Sequence, residues 1–269
     1  MGQGGEASEA EGGVNPTMQP IAPWYQLGYI IPHRHIDMDA YQFYRVAPEG
    51  MLLVSTGLDL TEYSLASVEA QLPAFHSAVD LLAHKPVDRI ALSGVPVASV
   101  LGRTRMRALL AQAAERSGLE VDTDLEAHIA TLQHLGAKRI ALATRWPQAV
   151  NDALTAYLGE AGIEVLACRS RGRNLQQNKA AGALADHALA LELGREALTA
   201  APKAQALLMP GGLWFAIHAV PLLEAEFGKP VLLNILSTTC SALRAHGARA
   251  AVGPVPRADA RWGMVLASG

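Results

Sequence analysis

The chain has 269 residues, of which half are hydrophobic and 17% charged, with 22 basic and 25 acidic side chains and a formal net charge of -3. That suits one large or two modest soluble domains and excludes the basic footprint of a nucleic-acid binder. Two cysteines, Cys168 and Cys240, make a poor disulfide framework, and no stretch reaches the roughly 20 apolar residues of a membrane span.

Residues 1–22 are rich in Gly, Glu and Ser, lack the basic start and apolar centre of a signal peptide, and read as a disordered tail on a cytoplasmic protein. From there, short apolar runs alternate with helical patterns. Leu27–Ile31 reads as the first strand and ends at Pro32; Met51–Val54 is the second. A helix over Glu69–His84 carries its period through Leu72, Phe75, Val79 and Leu82, with Pro73 in its first turn. Arg89–Leu92 is a strand ending at Ser93-Gly94, followed by a helix over Arg103–Arg116.

A second series opens with a helix over Asp124–Leu135, which Gly136 caps. Strands follow at Arg139–Leu142, Ile163–Ala167, Ala204–Met209 and Val231–Asn234. Helices fall at Gln148–Glu160, Gln177–Ala200, Leu213–Phe227 and Thr238–His246. Strands of this kind, apolar throughout and separated by helices, suit parallel sheets covered on both faces. The expected fold is α/β, with two pseudo-symmetric open parallel-sheet lobes bearing helices on both faces. A barrel is the rival, but it would need eight clean units. The offset recurrence of Arg-Ile-Ala-Leu at 89–92 and 139–142 favours duplication. The expected partition places 23–118 and 228–269 in the first lobe and 119–227 in the second.

In such sheets ligands lie beyond the carboxyl ends of the strands. That rule selects the loops 32–39, 94–102, 144–151, 210–214 and 234–239. The first is the densest polar cluster, Pro32-His33-Arg34-His35-Ile36-Asp37-Met38-Asp39. His33, His35 and Asp37 are the candidate catalytic groups, because imidazole exchanges protons near neutral pH and a carboxylate can orient it. The same residues also suit helix capping. A metal site has no supporting spacing such as HExxH, and none is expected. Gly211-Gly212 opens a turn where backbone N–H groups can approach an anion, or it is a tight turn with nothing bound. Gly94 and Val95 form a second small-residue loop. Arg145 is suited to clamp a carboxylate. Trp146, Asn151 and Trp214 sit on the same set of loops, as cleft wall or as core. Without GxGxxG or GxxxxGK[ST], a nucleotide cofactor has no support.

These loops resemble those of the aspartate/glutamate racemase superfamily, in its arylmalonate decarboxylase and maleate isomerase branch. The resemblance runs from Leu27 to the C-terminus. It rests on Gly28-Tyr29-Ile30-Ile31-Pro32, Ala91-Leu92-Ser93-Gly94, Arg139–Thr144, Val150-Asn151, Cys168-Arg169-Ser170 and Leu207–Leu213. It implies a small-molecule carboxylate held between two lobes, with no organic cofactor and no metal; composition already argues against nucleic-acid and membrane partners, and a homodimer is a reasonable expectation. It also exposes departures. The racemases' first catalytic cysteine matches Gly94, a glycine in the decarboxylases too, and the second matches Pro210, which carries no proton. Carboxylate-binding hydroxyls match Val95 and Pro96, and a family tyrosine matches Trp146. Cys168 matches a cysteine outside the catalytic pair. The expectation is therefore a cysteine-independent lyase with histidine proton transfer, possible as a decarboxylase working through an enolate-like intermediate. Hydrolysis of a small amide, lactam or ring, and carboxylate binding without turnover, are the alternatives.

Overall fold

The computed structural model describes residues 23–34, 38–249 and 260–268. The tail expected at 1–22 lies outside them, as do His35 and Asp37. Two four-stranded sheets, each wholly parallel, carry the chain. The first contains β1 (Tyr25–Ile31), β2 (Met51–Gly57), β3 (Arg89–Leu92) and β4 (Glu120–Thr123) in the order β2-β1-β3-β4. The second contains β5 (Arg139–Ala143), β6 (Glu164–Arg169), β7 (Ala206–Leu208) and β8 (Val231–Leu232) in the order β6-β5-β7-β8. Each sheet therefore repeats the order second, first, third, fourth, which is the pseudo-symmetry expected from the sequence.

The duplication does not run through the recurring Arg-Ile-Ala-Leu. Arg89–Leu92 is the third strand of its sheet and Arg139–Leu142 belongs to the first strand of the other. The shared Ile-Ala-Leu follows from both being central strands, buried on both faces, where apolar residues are required; the arginines differ, Arg89 being buried and ion-paired and Arg139 exposed. The lobe boundaries also differ from the expected partition. β4 pairs with β3, so 120–123 belong to the first sheet, and β8 pairs with β7, so 231–232 belong to the second.

Helices α1 (Met38–Val46), α2 (Leu65–Ala70), α3 (Leu72–Ala83), α4 (Val95–Leu101) and α5 (Arg103–Ser117) surround the first sheet. α6 (Asp124–His134) leads to the second, where α7 (Gln148–Glu160), α8 (Leu175–Lys179), α9 (Ala183–Ala200) and α10 (Val220–Phe227) follow. α11 (Asn234–Arg249) leaves β8 and packs against α6 and α1; α12 (Met264–Ala267) closes the described chain. The helix expected over 177–200 is broken at Gly182, and the one expected over 213–227 begins only at Val220, after a 3-10 turn at Ile217–Ala219. The loop expected at 94–102 is mostly α4, and Asn234 starts α11 instead of ending a strand.

The lobes are joined by a buried carboxylate. Asp124, at the start of α6, accepts hydrogen bonds from the hydroxyls of Tyr29 on β1 (2.9 Å) and Thr238 on α11 (2.8 Å). It also accepts one from the Asn234 amide (2.7 Å), and Ser93 at the end of β3 lies close enough to favour its charged form. Asn234 Oδ1 takes two further donors, the Gly211 N–H beyond β7 (2.9 Å) and His128 Nε2 (3.0 Å). This fixes His128 as the Nε2–H tautomer, with its Nδ1 accepting from Ser237 at 2.8 Å. Burial pushes the Asp124 carboxyl up to about 6 against the pull of its donors, and pushes the His128 imidazole down to about 4.

These shifts set opposed pH dependences. Between its ordinary 3.8 and about 6, Asp124 holds more proton in the folded chain than in the unfolded one, so its contribution to stability falls as pH rises through that window. His128, lowered from 6.5 to about 4, contributes stability that rises over much of the same range. Comparing wild type with Asp124→Asn cancels the histidine. Urea unfolding at pH 4, 5 and 7 should show wild type losing about 2 kcal/mol relative to Asp124→Asn as pH rises from 4 to 7. A pH-independent difference would contradict the shift.

Candidate functional site

The carboxyl ends of the first and third strands of both sheets face one another across a cleft of about 440 Å³, counting its open mouth. β1 supplies Pro32 and His33, and β3 supplies Ser93 and Gly94. From the second lobe, β5 leads to Arg145 and Trp146, and β7 leads to Gly211 and Gly212. His33 and the glycine turn, 178 residues apart in number, thus line the same recess. Asp39 on α1, and Pro96 and Val97 on α4, complete the floor and one wall.

Both glycine positions are filled by neighbours. Gly94 takes a positive φ of 97°, and a Cβ there would lie 2.7 Å from Cγ of Pro32. A cysteine at this position would meet both strain and a ring. At Gly212 a Cβ would fall within the van der Waals envelope of the Asp39 carboxylate. Asp39 is 3% exposed and occupies the second position of α1, where the helix terminus favours a negative charge. Gly211, at φ 125°, lies against Trp146, and its N–H is held by Asn234. That donor is therefore already satisfied within the protein.

Arg145 is buried and lines the cleft, but its guanidinium is paired with Asp186, whose side chain is 1% exposed, at 2.8 Å. Arg173 reaches the other oxygen of Asp186 at 3.4 Å. Burial lowers the Arg145 pKa, and the field of Asp186 opposes that fall. Trp214 lies behind Arg145: its ring sits beneath the guanidinium at 5.4 Å, and its indole N–H donates to the Asp186 carbonyl at 3.1 Å. Trp214 is thus part of the Arg145 support and outside the cleft lining, contrary to its expected binding role. Asn151 is also outside. Its Oδ1 accepts from Thr144 (2.7 Å) and its Nδ2 donates to the Trp146 carbonyl (3.1 Å), which brackets the loop that presents Arg145 and Trp146. Val95 is fully buried at the start of α4, leaving Pro96 and Val97 to face the cleft.

The second strands contribute residues that the loop selection missed. Leu60 and Tyr63 follow β2, and Leu175 follows β6. Tyr63 meets Trp146 edge-on at 6.4 Å and accepts a hydrogen bond from Asn178 at 3.1 Å, while Lys179 donates to the Leu60 carbonyl at 3.4 Å. These contacts join the two lobes beside the cleft. The same strand-end rule, extended to β2 and β6, would have selected both loops. The sulfur atoms lie elsewhere: Cys168 is on β6 with its thiol pushed up to about 11 by burial, and Cys240 is buried in α11 with its thiol also raised by burial. Among the described residues, no three His, Cys, Asp or Glu side chains are grouped to hold a metal ion.

The model of the family described as arylmalonate decarboxylase matches residues 27–255. The chain belongs to that family. Arylmalonate decarboxylase of Bordetella bronchiseptica is 26% identical over 230 residues, covering 85% of this chain and 93% of that protein. A crystal structure of arylmalonate decarboxylase superposes with a TM-score of 0.75 at 25% identity, covering 90% of this chain and 99% of the other. Maleate isomerase of Pseudomonas putida shares the fold, with a TM-score of 0.76 at 19% identity and coverage of 90% and 98%.

The contact between Asp39 and Gly212 can be tested by a double-mutant cycle. Gly212→Ala should cost about 1–3 kcal/mol through overpacking, read as a lower Tm. Asp39→Ala removes the colliding carboxylate, so the double variant should be at least about 1 kcal/mol more stable than the two single losses added together. Additive losses would mean the two residues do not touch.

Proposed function

We propose that the cleft is the active site of a cysteine-independent lyase that acts on a small carboxylate, with decarboxylation as its reaction and His33 as the proton carrier. One observation carries this reading: in a member of the arylmalonate decarboxylase family, His33 lines the same buried recess as the glycine turn. The thiol positions implied by the family resemblance hold Gly94 and Pro210, and neither Cys168 nor Cys240 is among the described lining residues. A proton carrier other than sulfur is therefore required, and imidazole is suited to the task near neutral pH.

In the proposed step the bond between the α-carbon and its carboxylate breaks, and carbon dioxide leaves. The electron pair passes into the neighbouring carbonyl as an enolate. The imidazolium of His33 then gives its proton to the α-carbon and recovers one from water. The Arg145–Asp186 pair, Trp146 and the apolar wall from Pro96 to Val97 hold the substrate and keep water from the carbanion. No resident metal or organic cofactor is part of this reading. We further infer a cytoplasmic protein, with His35 and Asp37 assisting His33 from the same loop.

The test is turnover of an arylmalonate panel, starting with phenylmalonate, by carbon dioxide release. His33→Ala should lower kcat by at least about 10²-fold, the usual scale for a lost acid–base group, with a smaller change in KM. Wild-type turnover in both His33→Ala and His35→Ala would refute the histidine assignment. No turnover of the panel by the unmodified protein would count against decarboxylation itself.

A further inference from the structure

Arg145 lines the cleft and is 2% exposed, yet among the described residues its guanidinium makes a single hydrogen bond, from Nη1 to Asp186. A guanidinium is a planar fork, so donation through Nη1 leaves the edge formed by Nε and Nη2 whole. Buried N–H groups in folded proteins are nearly always answered by an acceptor. On the wall of a recess, an arginine with that edge unanswered is short of a partner that a ligand can bring, and a carboxylate matches the edge with two parallel bonds.

The rest of the arginine is held in place. The Trp214 ring lies beneath the guanidinium at 5.4 Å, and the Arg173 N–H donates to the Arg145 carbonyl at 2.6 Å. Asp186 does not cancel the charge, because Arg173 shares it at 3.4 Å: two guanidinium groups and one carboxylate leave the cluster net positive. A donor fixed in this way needs no reorganisation when an anion arrives. Tyr63, beside Trp146 in the same lining, supplies a second donor. Its oxygen accepts from Asn178 at 3.1 Å, so its own proton is directed elsewhere, and among the described residues none accepts it. Burial raises its pKa and keeps the phenol protonated, and Tyr63 and Arg145 lie within one another's field. The other ionisable groups of the lining, His33 and Asp39, have contacts of their own, and Asp39 stands on the side of Gly212. There the Gly211 N–H is already given to Asn234.

We propose that the Nε–Nη2 edge of Arg145 and the hydroxyl of Tyr63 form the subsite for the carboxylate that the substrate keeps, rather than the glycine turn. The assignment rests on the small-carboxylate reading above and deepens it. In the proposed step the bond to the departing carboxylate breaks, carbon dioxide leaves, and the electron pair moves into the retained carboxylate. Negative charge then builds on the two oxygens that face the guanidinium and the phenol. The His33 imidazolium gives its proton to the α-carbon, which takes the electron pair into the new C–H bond and restores the carboxylate.

The experiment is titration with phenylacetate, the acid that loss of carbon dioxide from phenylmalonate leaves, followed by calorimetry and by the arginine Nε–H resonances of isotope-labelled protein. Wild type should bind it, and the Arg145 Nε–H signal, identified by its loss in Arg145→Lys, should move downfield on binding. Arg145→Lys keeps the charge without the planar edge, and Tyr63→Phe keeps the ring without the donor. Each should bind phenylacetate at least about tenfold more weakly, the scale of a hydrogen bond to a charged group. Wild-type affinity in either variant overturns the proposal. So does an Nε–H signal that ignores the bound ligand, the result expected if the glycine turn holds the carboxylate. Should Arg145→Lys fail to fold, Tyr63→Phe and the response of the arginine Nε–H signals still decide. A protein that binds phenylacetate in this way and turns over no arylmalonate keeps the subsite and loses the decarboxylase reading. Wild type that binds no phenylacetate overturns the subsite and the small-carboxylate reading together.

Discussion

The arrangement of the two lobes depends on one buried anion. Asp124 lies where β1, the end of β3, α6 and α11 meet, and it receives donors from β1 and α11. A carboxylate without these bonds would be costly at such a depth. With them, it holds Asn234 in one orientation, and Asn234 in turn holds Gly211 at the edge of the cleft. The first lobe therefore fixes the backbone of the second through side chains that never reach the ligand space. Ser93 differs in that it lies near Asp124 and also lines the cleft.

Above that junction, groups of the protein occupy the space or the charge beside several of the cleft's distinctive residues. Pro32 fills the space beside Gly94, Asp39 that beside Gly212, and Asp186 the charge of Arg145. Much of what remains is apolar: Leu60, Pro96, Val97, Trp146, Leu175 and Leu213. A recess of this composition offers a ligand more apolar surface than hydrogen-bonding groups.

The parallel architecture was legible because central strands, buried on both faces, must be apolar from end to end; β1, β3, β5 and β7 announce themselves in this way. β4 was not, because Glu120-Val121-Asp122-Thr123 is an edge strand with charged side chains, two of them paired with Arg89. α1 was missed for a different reason. Its buried stripe has helical spacing, but Asp39 and Gln42 occupy half of it, so a hydrophobic pattern cannot reveal a helix that docks through polar contacts. The site followed the same division. Strand ends located His33, Gly94, Arg145, Trp146 and the glycine turn, since their position follows from topology alone. Sequence could not show that Arg145 is spoken for by Asp186, 41 residues away, or that Trp214 and Asn151 serve the loop from behind, because those are facts of side-chain packing.

A second tie between the lobes lies beside the cleft. Tyr63 and Leu60 belong to the first lobe, Asn178 and Lys179 to a five-residue helix of the second, and two hydrogen bonds tie them together over Leu175. Being polar and near the lining, these two bonds hold Leu60 and Tyr63 against the second lobe independently of the buried junction at Asp124, so the spacing of the lobes is fixed at two separate levels.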